Sequence, residues 1–333
     1  MALAQRDDVE SRLVTRIGRR WTFAHGPFRR AELARLPARD WTLLIQGANL
    51  HCASADALLR RFTFLPYARL DDLMVSLAAP GGGVGPHFDS YDVFLLQGPG
   101  RRRWRYGRQD DLALKPGLPV KILRRFAPSH DVILEAGDML YLPPQLAHDG
   151  IALDRCTTYS IGFRAASATE LATAFLDFLR DRLDIPGRYA DPDLTPSAAP
   201  AAIAPAMRRK CAAMLKDVRW SADTVGEFLG CWLTEPKPTV SFDPPARPRS
   251  RAAFAAAAGR NGVRLDTRSQ LLYDDRRLYL NGDPIAWPRN GRTMLLRLAN
   301  ARVLAPRDVR AAGAAATILY DWYCHGFVHA NAR

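Results

Sequence analysis

Five short apolar runs cut by glycine and proline constrain this chain more than any other feature. They are WTLLIQG (41–47), LMVSLAA (73–79), YDVFLLQ (91–97), MLYLP (139–143) and TTYSIGF (157–163). Runs this short, rich in β-branched and aromatic residues and bounded by turn formers, read as strands. Many such strands in series close into a sandwich or a barrel. The first 165 residues are therefore expected to form one β-rich domain, 1–165.

The pattern changes at about residue 166. SATELATAFLDFLRDRL (167–183) opens with a Ser and has Glu170 three positions on, then apolar residues at helical spacing. That is a capped amphipathic helix. AMRRKCAAMLKDVRW (206–220) and DTVGEFLGCWL (223–233) continue in helical style, so 166–235 is expected to be a helical region. PKPTVSFDPPARPRS (236–250) carries five prolines and cannot be regular helix. It reads as a linker to a module over 236–333. That module opens with a helix (RAAFAAAAGR), continues with two short strands (SQLLYDD and RRLYLNG) and ends with two further helices. The fold class is α+β.

A chain of 333 residues has room for one large domain and one or two smaller ones. Its net charge is +13, which invites a nucleic-acid reading, yet only five of its 47 basic residues are lysines. The arginines are spread along the whole chain, a compositional bias rather than a footprint. Cysteines 52, 156, 211, 231 and 324 are scattered and form no CxxC, which argues against a disulfide framework and for a reducing, cytoplasmic setting. No apolar run approaches the ~20 residues that cross a bilayer.

The chemistry is concentrated in two stretches. PGGGVGPHFDSYDVF (80–94) places His87 and Asp89 one residue apart, and in a strand residues i and i+2 face the same way. AGDMLYLPPQLAHDG (136–150) combines a Gly137-Asp138 turn, a strand and a Pro143-Pro144 bend that delivers His148. Two histidines and one carboxylate make the facial triad of non-haem Fe(II) oxygenases, which leaves part of the coordination sphere open. Histidines 25, 51, 130, 325 and 329 lack such a context and read as structural or surface residues.

The order HxD, then GD-x4-PP-x3-H, resembles the double-stranded β-helix of cupin and JmjC-type 2-oxoglutarate oxygenases. With DDLMVS (71–76), QGPGRRRW (97–104) and YSIGFR (159–164) added, the chain resembles the bacterial ribosomal oxygenases. Those enzymes hydroxylate an arginine of large-subunit ribosomal protein sixteen. The resemblance implies Fe(II) on His87, Asp89 and His148, with 2-oxoglutarate and O2 as cosubstrates. The far carboxylate of 2-oxoglutarate needs a buried cation, and arginine's planar fork suits it. Alternation along 101–103 lets one arginine point inward, and the family pattern selects Arg102. Ser76 and Ser160 are further candidate donors. The resemblance also implies a substrate pocket at Asp72, Met74 and Tyr91, with Asp72 on the guanidinium and the other two along its stem.

The helical region 167–232 has apolar surface at Leu171, Phe175, Phe178, Leu179 and Leu183, and the resemblance implies a homodimer through it. The terminal module resembles a winged helix. Its Arg260, Arg264, Arg268, Arg276 and Arg277 could touch ribosomal RNA or face solvent. Family members carry some tens of residues before the point matching DDVESRLV, so a truncated or rearranged barrel edge is expected. Two other readings stay open on the residues alone. One is a cupin metalloenzyme acting on a small molecule without 2-oxoglutarate, which has no need of Arg102. The other is a non-catalytic nucleic-acid-binding regulator.

Overall fold

The computed structural model describes every residue except 19, 197, 312, 314, 332 and 333. The first strands, β1 (Ser11–Ile17) and β2 (Arg20–His25), form a hairpin. After α1 (Arg30–Ala34) come β3 (Trp41–Ile45), α2 (Ala48–His51) and α3 (Ala53–Leu59). Next are β4 (Leu70–Ala78), β5 (Val93–Gln97), β6 (Arg102–Gly107), β7 (His130–Leu134), β8 (Met139–Leu142), β9 (Ala147–Ala152) and β10 (Cys156–Phe163). All five apolar runs of the sequence lie on strands, namely β3, β4, β5, β8 and β10.

These strands form two antiparallel sheets. The larger has seven strands in the order β2-β1-β3-β4-β10-β5-β8, and the smaller has three, β7-β6-β9. The sheets face each other. Val93, Leu95 and Leu142 of the larger pack with Trp104 of the smaller, and Tyr106, Val132 and Leu134 complete that cluster. The outer face of the larger sheet is covered by α2, α3 and the chain's first turns, through Leu43, Ile45, Leu59, Leu73 and Phe163. Alternation does the sorting: residues of one parity along β4 and β10 enter the space between the sheets, and those of the other parity enter the covered core.

One local expectation needs correction. His87 and Asp89 do not lie on a strand. His87 forms a single bridge with His148, and Phe88 and Asp89 continue in irregular backbone. The glycine-rich stretch before them prevents a strand. Gly85 has φ +82°, and a Cβ on Gly83 would lie 2.6 Å from the carbonyl oxygen of Gly150. The loop can pass this close to β9 only without a side chain.

The helices follow as α4 (Ala168–Arg180), α5 (Pro205–Leu215) and α6 (Ala222–Thr234). Ser167 caps α4: its hydroxyl accepts from Glu170 N, and Glu170 accepts from Ser167 N. Phe175 and Phe178 of α4 pack edge-on against Phe228 of α6. Residues 236–250 are irregular. The terminal module is then α7 (Arg251–Asn261), β11 (Val263–Leu265), β12 (Leu271–Tyr273), β13 (Arg277–Leu280) and β14 (Asp283–Ala286). It ends with α8 (Arg292–Ala301), β15 (Val303–Leu304), α9 (Pro306–Arg310), α10 (Ala315–Cys324) and β16 (Val328–Ala330). Its core centres on Phe254, Leu278, Leu295, Leu298, Leu319 and Trp322.

The module is richer than the two strands and two closing helices expected: it adds β11, β14, β15, β16 and the short helix α9, each two to five residues long. The domain boundary expected at 235/236 also separates segments that touch. Gly230 of α6 lies against the ring of Tyr279 on β13, and Arg277 pairs with Asp223 and Glu227 of α6. Helix α6 belongs by contact to the terminal module. The Pro-rich segment interrupts the chain there without interrupting the packing.

Candidate metal centre and active site

Between the two sheets lies a cavity of about 470 Å³. The larger sheet contributes Asp72, Met74 and Ser76 from β4 and Thr158, Ser160 and Gly162 from β10, each set at alternate positions. The smaller sheet contributes Arg102 and Trp104 from β6 and His148 from β9. His87, Asp89 and Tyr91 enter from the loop after the glycines.

His87, Asp89 and His148 offer ligand atoms that all lie within 4.8 Å of one another. Each imidazole is oriented from behind. His87 Nδ1 donates to Gly85 O at 2.9 Å and His148 Nδ1 donates to Leu146 O at 2.9 Å. A carbonyl only accepts, so both Nδ1 atoms carry the proton and both Nε2 lone pairs are left for a ligand. His148 Nε2 stands 3.7 Å from Asp89 Oδ2. Burial, and then the neighbouring His87, push the His148 pKa down to about 4, so its ring is neutral at pH 7. Asp89 is fixed although its backbone is irregular, because Gln145 N donates to Asp89 O at 2.7 Å. Two oriented imidazoles and one carboxylate suit a divalent first-row metal such as Fe(II).

Arg102 is 5 % exposed, and its Nε and Nη2 have no hydrogen-bond partner among the described residues. These two atoms form one edge of the guanidinium, the edge that receives a carboxylate with two parallel bonds. A buried arginine with an empty edge is costly unless something anionic completes it. Its neighbours take the opposite face: Arg101 pairs with Asp154 and Arg103 with Asp131, both in solvent. Ser76 and Ser160 line the same cavity and are buried.

Asp72 is buried and Met74 half-buried, whereas Tyr91 is exposed at the cavity mouth. Burial holds the Asp72 carboxyl above the ordinary carboxylate value. Several lining residues escaped the sequence reading. Arg12 on β1, Thr42 on β3 and Gln46 just beyond it, Thr158, and Lys121 from the long loop after β6 all border the cavity. Thr42 and Gln46 share the parity that faces the cavity, the only local signal that could have found them. Of the module arginines, Arg268, Arg276 and Arg277 are engaged with Asp243, Asp266, Asp223 and Glu227. Arg260 and Arg264 are exposed.

Residues 57–171 match the family model described as JmjC domain, and 217–329 match the ROXA-like winged helix. The chain is 37% identical over 291 residues to the ribosomal protein uL16 3-hydroxylase of Escherichia coli (strain K12), covering 86% of this chain and 77% of that one. The chain belongs to the bacterial ribosomal oxygenases. A probable ribosomal oxygenase of Haemophilus influenzae is 38% identical over 173 residues, 51% of this chain and 43% of that relative. The X-ray structure of E. coli ycfD superposes with a TM-score of 0.84 at 32% identity, over 98% of this chain and 88% of that one. The same E. coli ribosomal oxygenase in complex with cobalt and 2-oxoglutarate gives a TM-score of 0.82 over the same shares. This ribosomal oxygenase thus has a JmjC/cupin barrel and a ROXA-like winged helix, as its sequence led one to expect. No helix among the described residues is long and apolar enough to cross a membrane.

Proposed function

We propose that this ribosomal oxygenase is an Fe(II)- and 2-oxoglutarate-dependent dioxygenase that hydroxylates an arginine side chain of ribosomal protein uL16. The observation that carries the reading is the open Nε–Nη2 edge of buried Arg102, lining the same cavity as the His87–Asp89–His148 cluster. A cupin that dispensed with 2-oxoglutarate would have no use for that cation, and a regulator without metal would have no use for three converging ligands.

His87, Asp89 and His148 would hold the metal, and Arg102 would take the far carboxylate of 2-oxoglutarate with Ser76 and Ser160 nearby. Bound together, Fe(II), 2-oxoglutarate and O2 supply an oxidant that inserts one oxygen atom into a C–H bond, leaving succinate and CO2. The chain's own task is orientation and water exclusion. Trp104, Val93 and Leu95 give the cavity apolar walls, which strengthens the Arg102–carboxylate contact. Asp72 receives the substrate guanidinium, and Met74 and Tyr91 flank its methylene stem.

Phe175, Phe178 and Leu179 of the stripe expected to dimerise pack inside the chain instead. It is the exposed apolar residues on and between α4 and α6 that support a homodimer: Leu176 is 61% exposed, Ile203 70%, Leu215 69% and Trp220 54%. Sedimentation of Leu176→Glu, expected as a monomer, tests it, and an unshifted dimer would rule out this face. A scattered, unpaired set of cysteines supports a cytoplasmic setting, where ribosomes are made. Of the five module arginines singled out in the sequence, exposed Arg260 and Arg264 are the two left to meet ribosomal RNA. A salt-independent affinity for RNA would count against that contact.

The function is tested by incubating the purified chain with Fe(II), 2-oxoglutarate and uL16 and weighing the intact uL16. The expected result is a gain of one oxygen atom on an arginine, matched one-to-one by succinate. Succinate formation that is indifferent to uL16, with no mass gain, would overturn the substrate assignment.

A further inference from the structure

Lys237, in the Pro-rich segment after α6, reaches across the barrel wall to the acid of the substrate pocket. Its Nζ lies 3.4 Å from Asp72 Oδ2 and 3.2 Å from Asp71 Oδ1. The two oxygens of Asp72 are used unequally. Oδ2 receives three donors: Gln46 Nε2 at 2.8 Å, Gly47 N at 3.0 Å and Lys237 Nζ. Oδ1 receives no hydrogen bond from the described residues. It faces Gly162, where a Cβ would lie 3.9 Å from it and equally far from Tyr91 Cε2. Gly162 and Tyr91 both line the cavity. One oxygen is thus pinned from behind while the other is offered to the cavity.

We propose that Lys237 is a positioning residue for substrate recognition: it favours the charged form of Asp72 and helps pin Oδ2, so that Oδ1 is free for the incoming cationic side chain. This rests on the reading of Asp72 as the substrate's acid. The physical need is plain, because Asp72 is almost fully buried beside a second carboxylate, Asp71, and both features oppose its charge. Lys237 is the largest opposing influence on that carboxyl. Arg164 lies 3.7 Å from Asp71, and Arg12 is bound to the far end of Gln46 at 2.6 Å. Asp89 and Tyr91 line the same cavity.

The arrangement also gives the winged-helix module a part in the barrel's specificity. Lys237 follows α6, which is locked to the module's strands by Gly230 on Tyr279 and by Thr234 Oγ1 accepting from Gly282 N at 3.0 Å. Arg164, at the end of β10, donates to Leu233 O at 2.7 Å, which fixes the end of the same helix against the barrel. The module therefore places an ammonium on an acid pair to which the barrel itself brings Arg164, at 3.7 Å from Asp71.

The test uses the full chain and a synthetic uL16 peptide containing the target arginine. Lys237→Met, Lys237→Arg, Asp72→Asn and the Asp72→Asn/Lys237→Met double variant are compared. Lys237→Met is expected to raise the peptide KM about tenfold with kcat within about threefold, equivalent to ~1.4 kcal/mol of binding. It should also move the acid limb of kcat/KM to higher pH, since Asp72 then protonates more readily. Lys237→Arg should restore both, which a loss of folding could not explain. In the Asp72→Asn background, Lys237→Met should add nothing to KM. A wild-type KM and acid limb in Lys237→Met, or an additive effect in the double variant, would overturn the role of Lys237. An unaltered KM in Asp72→Asn would instead overturn the substrate acid itself.

Discussion

His87 and His148 exchange both of their backbone hydrogen bonds, His87 N to His148 O at 2.9 Å and His148 N to His87 O at 2.8 Å. Two candidate metal ligands from distant parts of the chain are thus opposite partners in one antiparallel bridge. Their ring centroids stand 4.2 Å apart. The metal-binding distance is set by backbone pairing, so the site is preorganised before any ion arrives.

That pairing separates fold from function in the first prediction. His87→Ala and His148→Ala keep the backbone bridge and remove only a ligand. Each is expected to abolish Fe(II)-dependent succinate production and to weaken metal binding measured by calorimetry, while the far-UV circular dichroism stays native. Wild-type turnover in either variant with added Fe(II) would remove that residue from the metal centre.

Arg102→Ala tests the cosubstrate clamp. Removing one partner of a buried ion pair costs about 3–5 kcal/mol. The KM for 2-oxoglutarate should therefore rise by at least about a hundredfold, at roughly tenfold per 1.4 kcal/mol. An unchanged requirement would remove Arg102 from the carboxylate site and point to another cation lining the cavity, Arg12 or Lys121, since Arg101 and Arg103 are already paired in solvent.

Gly150 on β9 sits beneath the ring of Trp104, and a Cβ there would lie 2.6 Å from two of its ring carbons. Gly150→Ala must displace that ring, which lies 5.7 Å from the Arg102 guanidinium carbon and 6.0 Å from the His148 ring. Overpacking of this kind costs about 1–3 kcal/mol. The expected outcome is a lower Tm together with a raised 2-oxoglutarate KM; a variant with unaltered Tm would show that Trp104 moves freely.

Asp266 links pH to the stability of the terminal module. Burial raises its pKa, but hydrogen bonds from His329 at 2.7 Å and Arg268 at 2.8 Å outweigh burial and hold it well below the ordinary 3.8. A carboxyl depressed in this way contributes stability that is complete above the unfolded value and is lost as pH falls from there through the lower folded value. Denaturant titrations should show stability falling below about pH 4 in the wild type. Asp266→Asn should be less stable at pH 7 by about 1–3 kcal/mol, the cost of unsatisfied buried donors, and less sensitive to acid. Parallel acid limbs for the two proteins would exclude Asp266 as the group responsible.

Local pattern determined much of this protein. Period-two alternation between glycine and proline marked β3, β4, β5, β8 and β10, and Ser167 with Glu170 marked the start of α4. The same alternation along β6 turned Arg102 inward and its neighbours outward, and the residue types of His87, Asp89 and His148 named the chemistry. Such features depend on near neighbours in the chain, so they survive without a fold. Tertiary structure decided the rest. Close approach of the glycine loop to β9 took His87 and Asp89 off a strand and still brought their side chains together. Contacts with β13 and β14 joined α6 to the module across five prolines. Gln46, Gly47 and Lys237 found Asp72 across separations of up to 165 positions. No local signal could show these, because each depends on which surfaces the folded chain brings within a few ångströms.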